Sequence, residues 1–283
     1  METITASEIP ENVLAKEQAL KELIASYGCL AIAYSGGVDS SYLAEIAHET
    51  LGHDAHMILA DSPSIPRSEV RDAVELAEAR GWHLSVIQTT EFEQEAFLQN
   101  DGTRCYFCKN ELFTQMDQYA EAHQIAILAY GEIADDLLDP TRLGAKAARE
   151  HQVVAPLSQV ELEKEEIRRL SRARELPTWN KASFACLSSR FPKGTRVDIQ
   201  AMQQVEQAEE TLKRLGFHQY RARHHGEICR VEVDTADFPK LLDPQIRDTI
   251  TREIQAAGYR FVTLDLSGYR TGSTADLPDT TTM

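Results

Sequence analysis

Residues 28–41 read Gly-Cys-Leu-Ala-Ile-Ala-Tyr-Ser-Gly-Gly-Val-Asp-Ser-Ser. The run 28–34 is short, continuous and apolar, the pattern of a strand covered on both faces. Gly36 and Gly37 follow, and then a helix-compatible stretch over 39–50. A strand, a glycine turn and a helix in that order make an anion site. Glycine backbone can approach a ligand without a Cβ, and the amides at a helix start point outward. Ser35, Ser40 and Ser41 add hydroxyl donors. Asp39 has the wrong sign for holding a bare phosphate, so a divalent cation or an N–H donor is expected beside it. The loop carries no lysine and is therefore not G-x-x-x-x-G-K-S/T, and it is not G-x-G-x-x-G either. A plain strand–helix turn capped by Asp39 is the bland alternative.

Outward from the loop, strand-like and helix-like segments alternate. Strands fit 55–60, 82–88 and 125–130, and helices fit Arg67–Arg80, stopped by Gly81, and a stretch near 109–122. This order predicts an α/β fold with a doubly wound parallel sheet, whose ligands sit at the carboxyl ends of the strands. Residues 163–175 read as a charge-laced surface helix. Pro177, Pro192 and Gly194 then break the periodicity, which places the junction of two domains over 176–197, with domains at 1–185 and 186–283. In the second, Asp198 caps a helix with Ile199, Met202, Val205, Leu212 and Leu215 on one side, stopped by Gly216. Strands fit 219–224, 228–233 and 259–266, and a helix carries Ile246, Ile250 and Ile254 up to Gly258. This predicts a small α+β domain with a polar tail after Gly272.

The chain has 283 residues, which suits about two domains. Its 29 Lys+Arg against 45 Asp+Glu give a net charge of −16, which disfavours a nonspecific nucleic-acid binder. At 42% hydrophobic and 26% charged it reads as globular, with no apolar run near the length of a membrane span. The first residues, METITASEIPENVLAKEQ, lack a basic and then apolar leader, so a signal peptide is not expected. Five cysteines, an odd count, point to a reducing, cytoplasmic compartment where thiols serve metals or chemistry.

Cys105-Tyr106-Phe107-Cys108 is a C-x-x-C, and Cys186 opens a second block, Cys-Leu-Ser-Ser-Arg-Phe-Pro, at 186–192. Cys29 and Cys229 fall in strands and read as buried apolar cysteines. The C-x-x-C allows three chemistries: a redox dithiol, a zinc site drawing in a ligand such as His123, or an iron–sulfur cluster held by three thiolates. Three ligands on four irons leave one iron open to an extra sulfide.

The string SGGVDS at 35–40 resembles the PP-loop of the ATP pyrophosphatases. That likeness implies a loop gripping the β,γ-phosphates of ATP, AMP transfer to a substrate oxygen and release of pyrophosphate. SGGVDS, then RCYFCK, WNKASFACLSSRFPKGT, RARHHGEICRVEV and YRFVTLDL, over about residues 20 to 272, resembles more narrowly the LarE group of ATP-dependent sulfur transferases. The resemblance implies adenylation of a carboxylate of pyridinium-3,5-biscarboxylic acid mononucleotide and its conversion to a thiocarboxylate, for nickel-pincer nucleotide synthesis. One version of the group sacrifices a single cysteine, which becomes dehydroalanine; another carries sulfide on a 4Fe-4S cluster. Cys105, Cys108 and Cys186 resemble the cluster version.

The site residues implied are these. Ser35, Gly36, Gly37, Asp39 and Ser40 cradle pyrophosphate with Mg2+, and Asp39 and Cys186 are the catalytic candidates. Asp61, Ser62 and Gly131 border the nucleotide. Asp135 and Asp136, in a loop that also leads to Arg142 and Lys146, are candidates to join Asp39 on Mg2+, and Arg142 to contact substrate. Ser189, Arg221 and Arg223 align with a phosphate site, and Glu232 and Asp237 with a divalent-cation site at a trimer interface. The likeness implies ATP, Mg2+ and the cluster as cofactors, a sulfide or other sulfur donor, and a homo-oligomer, a hexamer built as a dimer of trimers. A PP-loop tRNA thiolase, an ammonia-using ligase and a zinc-stabilised binding module are the rival readings. The acidic charge counts against the first, and the second leaves the three cysteines without a role.

Overall fold

The computed structural model describes residues 9–135, 143–182 and 185–270. The chain forms two compact units. The first comprises Met1–Ser62, Arg67–Glu91 and Cys105–Phe184, and the second Pro63–Pro66, Phe92–Arg104 and Ala185–Met283.

The first unit opens with α1 (Glu11–Tyr27), a helix that the sequence reading passes over, and continues with β1 (Leu30–Tyr34), α2 (Val38–Leu51), β2 (Ala55–Asp61), α3 (Arg67–Arg80) and β3 (His83–Gln88). After α4 (Glu95–Leu98), a short helix of the second unit, come α5 (Arg104–His123), β4 (Ile127–Tyr130), α6 (Leu143–Glu150), α7 (Pro156–Gln159) and α8 (Lys164–Ala173). The sheet runs β3-β2-β1-β4 and every pairing in it is parallel. All five residues of β1 are buried. They alternate between two cores, as the two-residue period of a strand requires. Leu30, Ile32 and Tyr34 pack with α1, α2, α3 and α8, whereas Ala31 and Ala33 pack with Phe113, Met116 and Ala120 of α5 and with Ala147 and Ala148 of α6. Helices therefore cover both faces, and the sheet is doubly wound.

Helix α1 buries Val13, Leu20 and Ile24, a spacing legible in the sequence, and it also buries Glu17. That carboxylate accepts a hydrogen bond from the Tyr42 hydroxyl at 2.7 Å and pairs with Arg174 at 3.1 Å, so the polar residue on the packed face is satisfied. Helix α8 starts with a reciprocal capping box, Glu163 with Glu166, which fixes where Lys164 stands.

In the second unit, α9 (Ile199–Arg214) begins at the Asp198 cap, whose side chain accepts from the Ala201 amide at 2.8 Å. The strands β5 (Tyr220–His225) and β6 (Ile228–Val233) form an antiparallel hairpin. Helix α10 (Pro244–Ala256) then carries the chain across, so β7 (Phe261–Leu264) joins β6 in parallel. The core gathers Leu212, Phe217, Val231, Ile250, Ile254 and Tyr259. Ile199 departs from the expected stripe: it is 46% exposed, because it occupies the first turn of α9, ahead of the buried run Met202, Val205 and Leu212. Among the described residues no helix is long and apolar enough to cross a membrane.

Candidate active site

The carboxyl ends of β1, β2 and β4 carry the loop residues singled out above. After Tyr34 the chain turns at Gly36, whose φ is +68°, and Gly37 caps α2. A Cβ on Gly36 would lie 2.7 Å from the Cβ of Ala73, so helix α3 closes the space a side chain would need. The Ser35 amide donates to the Ser40 hydroxyl at 3.2 Å, and the two serine hydroxyls are 3.0 Å apart. Gly131 follows β4, and a Cβ there would come within 3.0 Å of the Ser40 nitrogen and 3.2 Å of its Cα. The loop is thus closed in by the Ala73 side chain at Gly36 and by the Ser40 backbone at Gly131.

The cation or donor expected beside Asp39 is Lys164. Its ammonium donates to both Asp39 oxygens, at 2.8 and 2.6 Å, with both side chains partly exposed. The Lys164 amide donates to Asp135 Oδ2 at 3.3 Å, which brings that carboxylate to the same corner. A second lysine from outside the loop, Lys181, donates to the Gly36 carbonyl at 3.0 Å and pairs with Glu69 at 2.6 Å. A loop with no lysine of its own therefore has two lysines on it, supplied by distant segments. Neither is singled out by the sequence: Lys164 sits in a charge-rich helix start, and Lys181 lies in the WNKASF string.

At the end of β2, Asp61 accepts from Arg67 and from Gln88 Nε2 at 2.9 Å. Desolvation pushes the Asp61 carboxyl up, but these hydrogen bonds and the Arg67 charge outweigh it and hold the group below the usual carboxylate range. The Ser62 hydroxyl donates to Glu91, a carboxylate 1% exposed. Asp136 and Arg142 lie outside the described residues.

Cys105 and Cys108 occupy the first turn of α5, three residues apart and so on one face of the helix; Cys105 is exposed and Cys108 half-buried. His123 is in the last turn of the same helix, about 27 Å away along an α-helical rise, which removes it as a fourth ligand to that pair. None of the five cysteines is in a disulfide. Burial drives the Cys229 thiol up to about 12, as an inert core cysteine requires. Cys29 is half-buried rather than buried, and desolvation together with Asp54 raises its thiol as well. Among the described residues no three His, Cys, Asp or Glu side chains stand grouped as metal ligands.

In the second unit Cys186 begins a single 3-10 turn, Leu187–Arg190. Arg190 is fully buried and bidentate to Glu209, with Nε to Oε1 and Nη2 to Oε2 both at 2.8 Å. Its Nη1 donates to the carbonyls of Ala185 and, at 3.0 Å, of Cys186, and to the Ser189 hydroxyl at 2.9 Å. Arg104 donates to the Ser188 carbonyl at 2.7 Å. Arg223, 4% exposed, donates to Glu232 and, at 3.0 Å, to the Ser189 carbonyl. Both oxygens of the buried Glu232 are thereby engaged, Oε2 by Arg223 and Oε1 by Arg230 at 2.9 Å. Arg221 lies over the Tyr269 ring at 5.0 Å, and burial, with Arg190 nearby, lowers its pKa. Asp237 pairs with Lys240 at 2.8 Å. The unit thus gathers Ser189, Arg223 and Glu232 through direct bonds. Arg190 and Arg104 were missed, although Arg190 lies inside the SSRFP block.

No family model matches the chain. It is 35% identical over 258 residues to an uncharacterized protein of Synechocystis sp., covering 91% of this chain and 96% of that one. It is 25% identical over 241 residues to an uncharacterized protein of Methanocaldococcus jannaschii, covering 85% and 90%. To the pyridinium-3,5-bisthiocarboxylic acid mononucleotide synthase of Lactiplantibacillus plantarum it is 31% identical over 248 residues, covering 87% of this chain and 89% of that enzyme. With that likeness running through both units, from the glycine loop to the arginine-held cysteine turn, the chain belongs to the LarE family of sulfur transferases.

Proposed function

We propose that this protein is an ATP-dependent sulfur transferase that adenylates a carboxylate of pyridinium-3,5-biscarboxylic acid mononucleotide, releases pyrophosphate and delivers sulfur to form a thiocarboxylate. The observation that carries the reading is the likeness to the Lactiplantibacillus plantarum synthase across most of both chains. The loop geometry supports it. Amides at the start of α2 and the Ser35 and Ser40 hydroxyls offer donors to phosphate oxygens where Gly36 and Gly131 keep the approach clear. Asp39 and Asp135 offer carboxylate oxygens to Mg2+, and Lys164 offers an ammonium to the charge that develops on departing pyrophosphate. Asp61 and Ser62 border the nucleotide at the next strand end.

The likeness assigns a three-cysteine cluster to Cys105, Cys108 and Cys186. Cys105 is exposed and the other two are half-buried, whereas Cys229 is a buried thiol raised by desolvation. When bound there, a 4Fe-4S cluster supplies a sulfide on its open iron. The residues do the rest: the loop holds the triphosphate, and the Cys186 turn presents its thiolate. Ser189 and Arg221 offer donors to the substrate phosphate, with Arg223 fixing the turn behind them. The second unit leaves Leu242, Phe261 and Leu266 exposed, which supports a homo-oligomeric assembly through that unit.

The deciding experiment is anaerobic purification followed by single Cys105→Ser, Cys108→Ser and Cys186→Ser variants, with iron, sulfide, pyrophosphate and thiocarboxylate measured for each. Joint loss of cluster and sulfur transfer in all three, with pyrophosphate release retained, is expected. If only Cys186→Ser abolishes transfer, and residue 186 of spent wild-type protein has become dehydroalanine, the sacrificial-cysteine reaction replaces the cluster. Copurifying RNA, with no turnover of the pyridinium nucleotide, would favour the tRNA thiolase instead.

A further inference from the structure

Every carbonyl at residues 185, 186, 188 and 189 accepts a hydrogen bond from a guanidinium: Arg190 for the first two, Arg104 for Ser188 and Arg223 for Ser189. Arg190 is the centre of this arrangement. Its side chain is completely buried, and a buried ion pair is weak ground for stability, since an apolar pair of similar volume often does as well. The geometry explains what the pair achieves. Glu209 takes the Nε and Nη2 edge and orients the guanidinium plane, which leaves Nη1 aimed at Ala185, Cys186 and Ser189. Glu209 is itself fixed, because its Oε1 also accepts from the Ala222 amide of β5 at 3.1 Å. The chain on which this acts has little structure of its own. Cys186 is extended (φ −54°, ψ 156°), ahead of a four-residue turn; beside Arg190, the Ser189 amide donates to the Cys186 carbonyl at 3.0 Å and the Leu187 amide donates to the Ser64 carbonyl at 2.8 Å.

We propose that Arg190, oriented by Glu209, is a positioning residue that fixes the backbone at Cys186, and so the direction of its Cα–Cβ bond, for sulfur delivery. Arg104 and Arg223 hold the two carbonyls that follow. The proposal rests on the reading of Cys186 as a sulfur-bearing or cluster-holding thiol, but the fixing of the backbone is testable without it. A planar fork that spans a carboxylate and two carbonyls at once cannot be replaced by a lysine, which keeps the charge but not the geometry.

The test uses Arg190→Lys in the full-length protein, with three readouts: amide hydrogen exchange by segment, pyrophosphate release, and single-turnover sulfur transfer. Exchange over residues 185–191 is expected to rise at least about tenfold while β1 to β4 stay protected. Pyrophosphate release should remain within about twofold and sulfur transfer fall roughly ten- to a hundredfold, the loss that a small misplacement brings. Unchanged exchange over 185–191 overturns the proposal, as does an equal fall in both reactions, which would mark a general role in the fold. If Arg190→Lys does not fold, the charge-free pair Arg190→Met with Glu209→Met is read the same way. Failure of that pair to fold makes the two residues part of the core and also overturns the proposal. Normal sulfur transfer by Cys186→Ala would instead refute the role of the thiol, and the exchange result would still decide whether Arg190 fixes the backbone.

Discussion

Replacing Gly36 by alanine probes the glycine loop at its closest approach. The residue has φ +68°, and a new methyl would stand 2.7 Å from the Ala73 Cβ and 3.3 Å from its Cα. Holding alanine in the left-handed region costs about 1–2 kcal/mol, partly offset by about 0.4–1 kcal/mol from the stiffer unfolded chain. The overlap with Ala73 adds roughly 1–3 kcal/mol, as overpacking does where a backbone must shift. Gly36→Ala should therefore lose about 1–4.5 kcal/mol of stability. Ala73→Gly alone costs about 1 kcal/mol in helix propensity and about 0.8 kcal/mol in lost burial, since Ala73 is interior to α3 and 1% exposed. In the double variant the overlap disappears but the left-handed strain stays. The pair should thus be more stable than the sum of the singles by about 1–3 kcal/mol. Urea unfolding of the four proteins, with slopes compared, measures this directly. Pyrophosphate release should fall in Gly36→Ala and recover in part in the double. Singles that add within about 0.5 kcal/mol would show that α3 does not close over the loop, and the steric argument would be refuted.

Asp39→Ala should abolish substrate-dependent pyrophosphate release yet unfold within about 1 kcal/mol of wild type, because its pair with Lys164 is partly exposed; Lys164→Ala should raise the KM for ATP in steady-state kinetics. Arg223→Ala removes the partner of Glu232 Oε2 while Arg230 stays on Oε1, and should lose about 1.5–3 kcal/mol by denaturant titration. Arg221→Ala should lose no more than about 1–2 kcal/mol and show its effect in calorimetry, as roughly ten- to a hundredfold weaker binding of the pyridinium nucleotide with ATP binding unchanged. Burial depresses the pKa of His56, with help from His83 and His123, and burial depresses that of His224 against a smaller opposing pull from Asp198. Below the ordinary histidine range, near 6.5, the unfolded chain then binds more protons than the folded one, so stability falls as pH drops from about 7 to 5.5. Denaturant midpoints at the two pH values should show the fall, and the variant His56→Gln with His224→Gln should lessen it, leaving the share of His225, whose pKa burial also lowers.

The first unit was legible in the sequence because its signals are local. The apolar run at 28–34, followed by paired glycines and a helix-compatible stretch, reads as a strand with both faces covered, and in the second unit Asp198 before an apolar stripe reads as a helix start. The parallel sheet followed from the alternation of such segments, and Cys229 was legible as a buried strand cysteine, whereas Cys29 stands just before β1 and is half-buried. Helix α1 is equally legible in the spacing of Val13, Leu20 and Ile24. What tertiary structure alone decided is which charge meets which. Lys164 reaches Asp39 across 125 residues of sequence, Lys181 reaches Gly36 across 145, and the Arg223 that sequence alignment assigns to a phosphate spends its donors on Glu232 and the Ser189 carbonyl. A charged residue carries no periodicity that reports its partner. Its burial and its hydrogen bonds exist only once the elements have packed, and that is why Arg190, one residue past the serine that the motif brought forward, declared its role only in the folded chain.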